Sequence, residues 1–324
     1  MNLHLDRSAF DAIITNISKR SNIRRDILEK DYYVTLLLEE LANRLNQGYA
    51  YFKGGTALYK GLGSLRRFSE DIDLTISTID CTNSKKKKRL MDSTKFNSLI
   101  FDKEISNKKG SIEVEYIYDS IYEIDENDKL QRFGKVKIES TNFGLSEPTS
   151  KTIIAPHLYE LASEEEKKIL EKTYDVKPFE IITLSIERIF MDKLFAAEHY
   201  FLTNKYFDLS KHLYDLSVLL KDDKIIKMLN SKELYSKMIN IQIEEENSRF
   251  GGISKYSCID DLSFIDNLDD IIIKKEYETM MNIYVFNSLD YIEYIDIMKD
   301  VRYIRKLIRK CEQNWDSVES LFCL

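Results

Sequence analysis

The chain has 324 residues, 43% of them hydrophobic, and a formal net charge of −7. That length accommodates a catalytic domain plus a helical partner without disulfide staples, and the acidic balance excludes a polyanion binder that works by bulk electrostatics. No stretch approaches the ~20 apolar residues of a membrane span, and the opening MNLHLDRSAFDAIITN carries charges inside its apolar run, so neither signal peptide nor membrane anchor is expected.

In chain order, Ile23 to Leu45 has apolar residues at helical spacing (Ile27, Tyr32, Leu36, Leu37, Leu41) and reads as a helix. Tyr49 to Phe52 is a short apolar run ending at Gly54-Gly55, a strand-to-turn signal, and Thr56 to Leu62 can open a short helix. Ser69 to Ile76 alternates polar and apolar as a half-buried strand does. A lysine-rich loop follows, Lys85-Lys86-Lys87-Lys88-Arg89, and with Arg302, Arg305, Lys306, Arg309 and Lys310 it is one of two patches able to make a local nucleic-acid contact. The plainer and favoured reading of each is a solvated surface, a loop for the first and a helix face for the second. Ile112, Val114 and Tyr116 mark one further strand, Val136 and Ile138 another. From Ile181 a strand-like run hands over to helices at about 185–202 and 208–221, and the rest is mostly helical. A soft boundary near residue 175 separates a domain of residues 1–175 from a mainly helical one of 176–324. Cys81, Cys258, Cys311 and Cys323 form no C-x-x-C pair and have no His at ligand spacing, which fits a reducing cytoplasm better than a zinc site.

Asp71 and Asp73 carry the chemistry. Residues two apart on a strand point the same way, so both carboxylates share a face while Ile72, Leu74 and Ile76 anchor the other. Two converging carboxylates suit a hard cation, Mg²⁺ or Mn²⁺, completed by substrate phosphates and water. Gly54-Gly55, followed by Thr56, leaves backbone N–H groups open to phosphate oxygens at a helix start. Each motif alone is common by chance; their order is more specific.

Gly-Gly, a short helix, then Arg66-Arg67-Phe68-Ser69-Glu70-Asp71-Ile72-Asp73 resembles the opening motif of the DNA polymerase β-like nucleotidyltransferase superfamily. LEKDYYVTLLLEEL before it, FKGGTALYKGLGSLRRFSEDIDL across it, and ERIFMDKLFAAEHY with KHLYDL after it resemble the AbiEii/AbiGii toxin family over residues 28 to 220. Fifteen residues separate Gly55 from Asp71, similar to that family. The resemblance implies an α+β nucleotidyltransferase fold, a mixed sheet with flanking helices plus a helical domain that contributes to the active site. It also implies use of an NTP, and toxicity countered by a cognate antitoxin in abortive-infection phage defence. The related MenT group modifies tRNA 3′ ends, which suggests tRNA or another RNA as acceptor.

By the same resemblance Asp71 and Asp73 hold the metal and Ser69 helps seat the triphosphate, while Arg67 either contacts substrate or solvates its loop. Lys193 falls within the core-facing stripe Ile186, Ile189, Phe190, Ala197 and Phe201, where a lysine is out of place unless it snorkels or reaches a pocket; the family has a phosphate-binding lysine there. Asp215 in KHLYDL lies at the flank of a buried leucine face and reads from the residues alone as an ordinary surface aspartate; the resemblance makes it an additional acid, a base for the incoming hydroxyl, or a partner of Lys193. His212 reads as structural. Glu139 is the candidate third metal carboxylate, with Glu113 and Glu115 as alternatives and a solvent-exposed glutamate as the plain reading. The expected activity is Mg²⁺-dependent nucleotidyl transfer to RNA; the alternatives are a toxin that sequesters a nucleotide or partner, and transfer to a protein or small molecule.

Overall fold

The computed structural model describes residues 1–44, 49–62, 66–78, 81–123, 133–142, 148–250 and 258–319. The chain divides into two compact units, Met1–Leu184 and Ser185–Leu324.

The first unit is built on a mixed sheet of seven strands among the described residues: β1 (Ala50–Lys53), β2 (Ile72–Ile76), β3 (Ile100–Lys108), β4 (Ser111–Ile117), β5 (Lys135–Thr141), β6 (Thr149–Ile154) and β7 (Phe179–Leu184). Their spatial order is β3-β4-β5-β2-β1-β7-β6. β2 runs parallel to β5 and β1 parallel to β7; the other pairings are antiparallel. Alternation decides which side is core. Phe52, Ile72, Leu74, Val136, Ile138 and Val114 are buried on one face, so Lys53, Asp73, Lys137, Glu139 and Glu113 stand on the other.

The flanking helices are α1 (Arg7–Ser21), α2 (Arg25–Ala42), α3 (Gly54–Gly61), α4 (Asn83–Ser93), α5 (His157–Glu160) and α6 (Glu164–Tyr174). α2 is buried along most of its length, including Lys30 and Asp31. A buried charge persists only when paired and hydrogen-bonded. Asp31 satisfies this: its carboxylate lies 2.6 Å from Lys60 Nζ on α3 and accepts from the His157 N–H at 2.6 Å, while Lys60 also donates to the Ala155 carbonyl at 2.9 Å. Burial alone would push the Asp31 carboxyl up, but the charges of His157 and Lys60 and these hydrogen bonds hold it below its ordinary value. The network ties α3, which begins at Gly54, to the interior.

The second unit is helical: α7 (Ile186–Leu202), α8 (Tyr206–Leu219), α9 (Asp223–Leu229), α10 (Lys232–Phe250), α11 (Ile271–Tyr284) and α12 (Tyr294–Glu319), with short 3-10 turns between. α8 packs against α7, α11 and α12 with Leu209, Leu213 and Leu216 fully buried. Ser185 caps α7, its hydroxyl accepting from the Arg188 N–H. Arg188 is wholly buried and donates to Gln242 Oε1 at 2.8 Å and Glu245 Oε2 at 2.5 Å.

The α+β fold with a mixed sheet and a helical second unit is as expected, with several local differences. β7 pairs with β1 and β6, so the first unit runs through Leu184, past the soft boundary near 175. The expected first helix begins at Arg25, and its end at Leu45 lies outside the described residues. The lysine run is not a loop: Thr82 caps α4, and Leu90 and Ser93 give that helix a buried side. Only one end of α4 is apolar, so periodicity did not reveal it. β3 was also missed, because every residue of this edge strand is exposed or half-buried and none alternates with a core position.

Candidate active site

Gly54 opens α3 with φ +79, a left-handed conformation that favours glycine, and a Cβ there would fall 2.0 Å from Asp73 Oδ2. The missing side chain is thus replaced by a carboxylate. A Cβ on Gly55 would meet Ser69 Oγ at 2.7 Å and Arg67 Nη2 at 2.9 Å. The glycine pair, expected to leave room for phosphate, makes room for Asp73, Ser69 and Arg67. Thr56 completes the join: its hydroxyl donates to the Asp71 carbonyl at 2.7 Å and lies 3.0 Å from the Ser69 hydroxyl.

Arg67 is 4% exposed, which overturns the reading of a residue that solvates its loop. Its guanidinium donates to the Phe68 carbonyl at 3.2 Å and sits 5.3 Å from the centroid of the Tyr59 ring. Next in sequence to Asp71, Glu70 is buried with its carboxylate 3.6 Å from the Lys30 ammonium, and Lys30 also donates to the Lys135 carbonyl. Sequence reasoning passed over Lys30, whose signal was a charged residue inside the apolar face of α2.

Asp71 directly precedes the first paired residue of β2, and Asp73 lies within the strand. Asp73 is in register with Glu139 on β5, and Glu139 with Glu113 on β4, which sets three carboxylates in a row on one face. Glu139 and Glu113 are half-buried, not solvent-exposed. Glu115 is a poor third ligand, being bracketed by Lys103 at 2.9 Å and Lys135 at 3.3 Å. Burial would raise its carboxyl, but these two ammonium groups hold it below the ordinary value. Among the described residues no three His, Cys, Asp or Glu side chains are grouped tightly enough to hold a metal ion by themselves. The donors at Asp71 and Asp73 are hard oxygens on one side of one segment, and they fit a cation whose remaining ligands come from substrate and water.

Lys137 was not singled out from the sequence. It shares the face of Glu139 and forms an ion pair with Glu113. Burial opposes its charge, but the hydrogen bond to Glu113 and the charges of Asp71, Glu113 and Glu139 raise its affinity for the proton well above the ordinary lysine value. Alternation within KVKIES was the available signal.

In the second unit Lys193 on α7 and Asp215 on α8 form a buried ion pair, Nζ to Oδ2 2.9 Å, with side-chain exposures of 7% and 0%. His212 stacks on Tyr200 at a centroid distance of 5.1 Å. Three of the five cations of the C-terminal basic patch are in ion pairs: Arg302 with Asp269, Arg305 with Asp260 and Asp266, and Arg309 with Asp260. Among the described residues no helix is long and apolar enough to cross a membrane.

None of the curated proteins compared matches the chain. A family model described as nucleotidyl transferase AbiEii toxin, type IV TA system, matches residues 36–293. That span is well over half the chain and contains the glycine pair, both aspartates, Lys193 and Asp215, so the protein belongs to the AbiEii family of nucleotidyltransferase toxins of type IV toxin–antitoxin systems.

Proposed function

We propose that the protein transfers a nucleotidyl group from an NTP to the hydroxyl of an RNA acceptor, tRNA foremost, and that Asp71 and Asp73 are the carboxylates of the reaction centre. The observation that carries this is the Asp73 carboxylate packed over Gly54, because a carboxylate confined to the space a side chain on residue 54 would fill is pre-organised for a cation before substrate arrives. A divalent cation at this pair, Mg²⁺ or Mn²⁺, supplies charge stabilisation at the reacting phosphate. Glu139, in register with Asp73, is the candidate for an additional carboxylate. Ser69 and the buried guanidinium of Arg67 supply a hydroxyl and a fixed positive charge for the triphosphate, and Gly55 and Thr56 hold both against α3. The acceptor oxygen forms its bond to the α-phosphorus as the bond to pyrophosphate breaks.

Within the second unit, the family resemblance makes Lys193 a candidate ligand for phosphate. Its ion pair with Asp215 favours, among the three roles open for that aspartate, the partner that orients the lysine. The family implies an antitoxin; a cognate antitoxin encoded alongside and a role in phage defence within the cytoplasm complete the reading. Purified protein incubated with each labelled NTP, Mg²⁺ and total RNA should label tRNA, and Asp73→Asn should abolish the label. Label in protein or a small molecule would redirect the acceptor. Toxicity that survives Asp73→Asn would favour nucleotide or partner sequestration.

A further inference from the structure

The polar face of the sheet poses an electrostatic problem. Asp73, Glu139 and Glu113 are cross-strand neighbours on β2, β5 and β4, and like charges directly opposite one another destabilise a sheet. Strands ~4.8 Å apart give such a row little relief from solvent alone. Two cations share its face: Lys53 on β1 is level with Asp73 at one end of the row, and Lys137 is built in among the carboxylates. Lys137 lies two residues before Glu139 on the same face, is half-buried, and pairs diagonally with Glu113. Because Ile72 is level with Ile138, the residue before Ile72 comes level with the residue before Ile138, which brings Asp71 beside Lys137. The Asp71 charge acts on the Lys137 ammonium accordingly.

A divalent cation taken by Asp71 and Asp73 is therefore bound beside a fixed ammonium. Their repulsion lowers affinity for the free ion, and a triphosphate arriving with the ion brings the negative charge that offsets it. We propose that Lys137, held by Glu113, is a positioning residue of the active site: a resident counter-ion that keeps the carboxylate row in place and makes cation binding depend on the nucleotide. This rests on the reading of Asp71 and Asp73 as the cation-binding pair. By linkage, whatever the nucleotide adds to cation affinity the cation adds to nucleotide affinity, and removing Lys137 weakens both couplings together.

Mn²⁺ binding, followed by electron paramagnetic resonance of the free ion with and without a non-reacting NTP analogue, tests this. Lys137→Met should tighten Mn²⁺ binding without nucleotide by about tenfold or more and shrink the enhancement the analogue produces. Lys137→Arg keeps the charge and should behave as the parent; Glu113→Gln, which releases the ammonium toward Asp71 and Glu139, should weaken Mn²⁺ binding. Asp73→Asn in the Lys137→Met background should remove the tight site. If Lys137→Met folds poorly, Lys137→Gln reads the same quantity. The inference is overturned if neutralising Lys137 leaves nucleotide-free Mn²⁺ affinity within about threefold of the parent, weakens it, or creates a site that survives Asp73→Asn. The transferase reading fails separately, on the absence of labelled product from the parent protein.

Discussion

The carboxylate of Asp73 stands where a side chain on residue 54 would stand, 2.0 Å from the Cβ that Gly54 lacks. A glycine on α3 and an aspartate on β2, nineteen positions apart, are thereby one structural unit.

Gly54→Ala should accordingly displace Asp73 as well as strain a backbone at φ +79. The expected result is a loss of ~1–2 kcal/mol of stability with a fall in nucleotidyl transfer of about a hundredfold or more. Gly55→Ala should be milder, since the atoms it meets are the ends of the Ser69 and Arg67 side chains. Thermal unfolding and single-turnover transfer on both variants check the order.

Arg67→Lys keeps the charge but loses the planar group that donates to the Phe68 carbonyl and rests near Tyr59. Transfer should fall about tenfold, chiefly through a higher KM for NTP, whereas a loop-solvating residue would show no change. Steady-state kinetics at varied NTP separates the two.

Lys193 and Asp215 are buried against each other, so removing one partner strands the other charge. Lys193→Met or Asp215→Leu alone should cost ~3–5 kcal/mol in urea unfolding, and the double variant should recover much of that. Transfer should not recover with it. Restored activity in the double variant would make the pair purely structural.

Asp31 has a carboxyl held below the unfolded value of 3.8, with burial opposing and the charges of His157 and Lys60 prevailing. Its stabilising contribution is therefore fully present above 3.8 and lost as pH falls through the lower folded value. Unfolding free energy should drop steeply in that acid range. Asp31→Asn should be less stable at neutral pH, because Lys60 loses its partner, and flatter below 3.8.

Much of this was legible in the sequence because local rules carry it. Period-two alternation assigned Ile72 and Leu74 to the core and Asp73 to the opposite face, and the helical stripe around Lys193 marked a cation in a buried place. Neither rule applies elsewhere: β3 has no buried residue to alternate with its exposed ones, and the lysines of α4 masked a helix held by Leu90 and Ser93.

The identity of the candidate catalytic carboxylates, the order of the elements around them and the family were determined by the sequence itself, since each depends on residue type and spacing along a single strand or helix. Which side chains meet was decided only by the tertiary structure. That Gly54 makes room for Asp73 and that Lys137 stands between Glu113 and Asp71 depend on strand order and register, and that Arg67 is interior and Lys60 closes on Asp31 depends on how the helices and loops pack on the sheet. Those are set by how the whole sheet and its helices pack, and a shift of one residue in register would send the strand residues among them, Asp73, Glu113 and Lys137, to the other face.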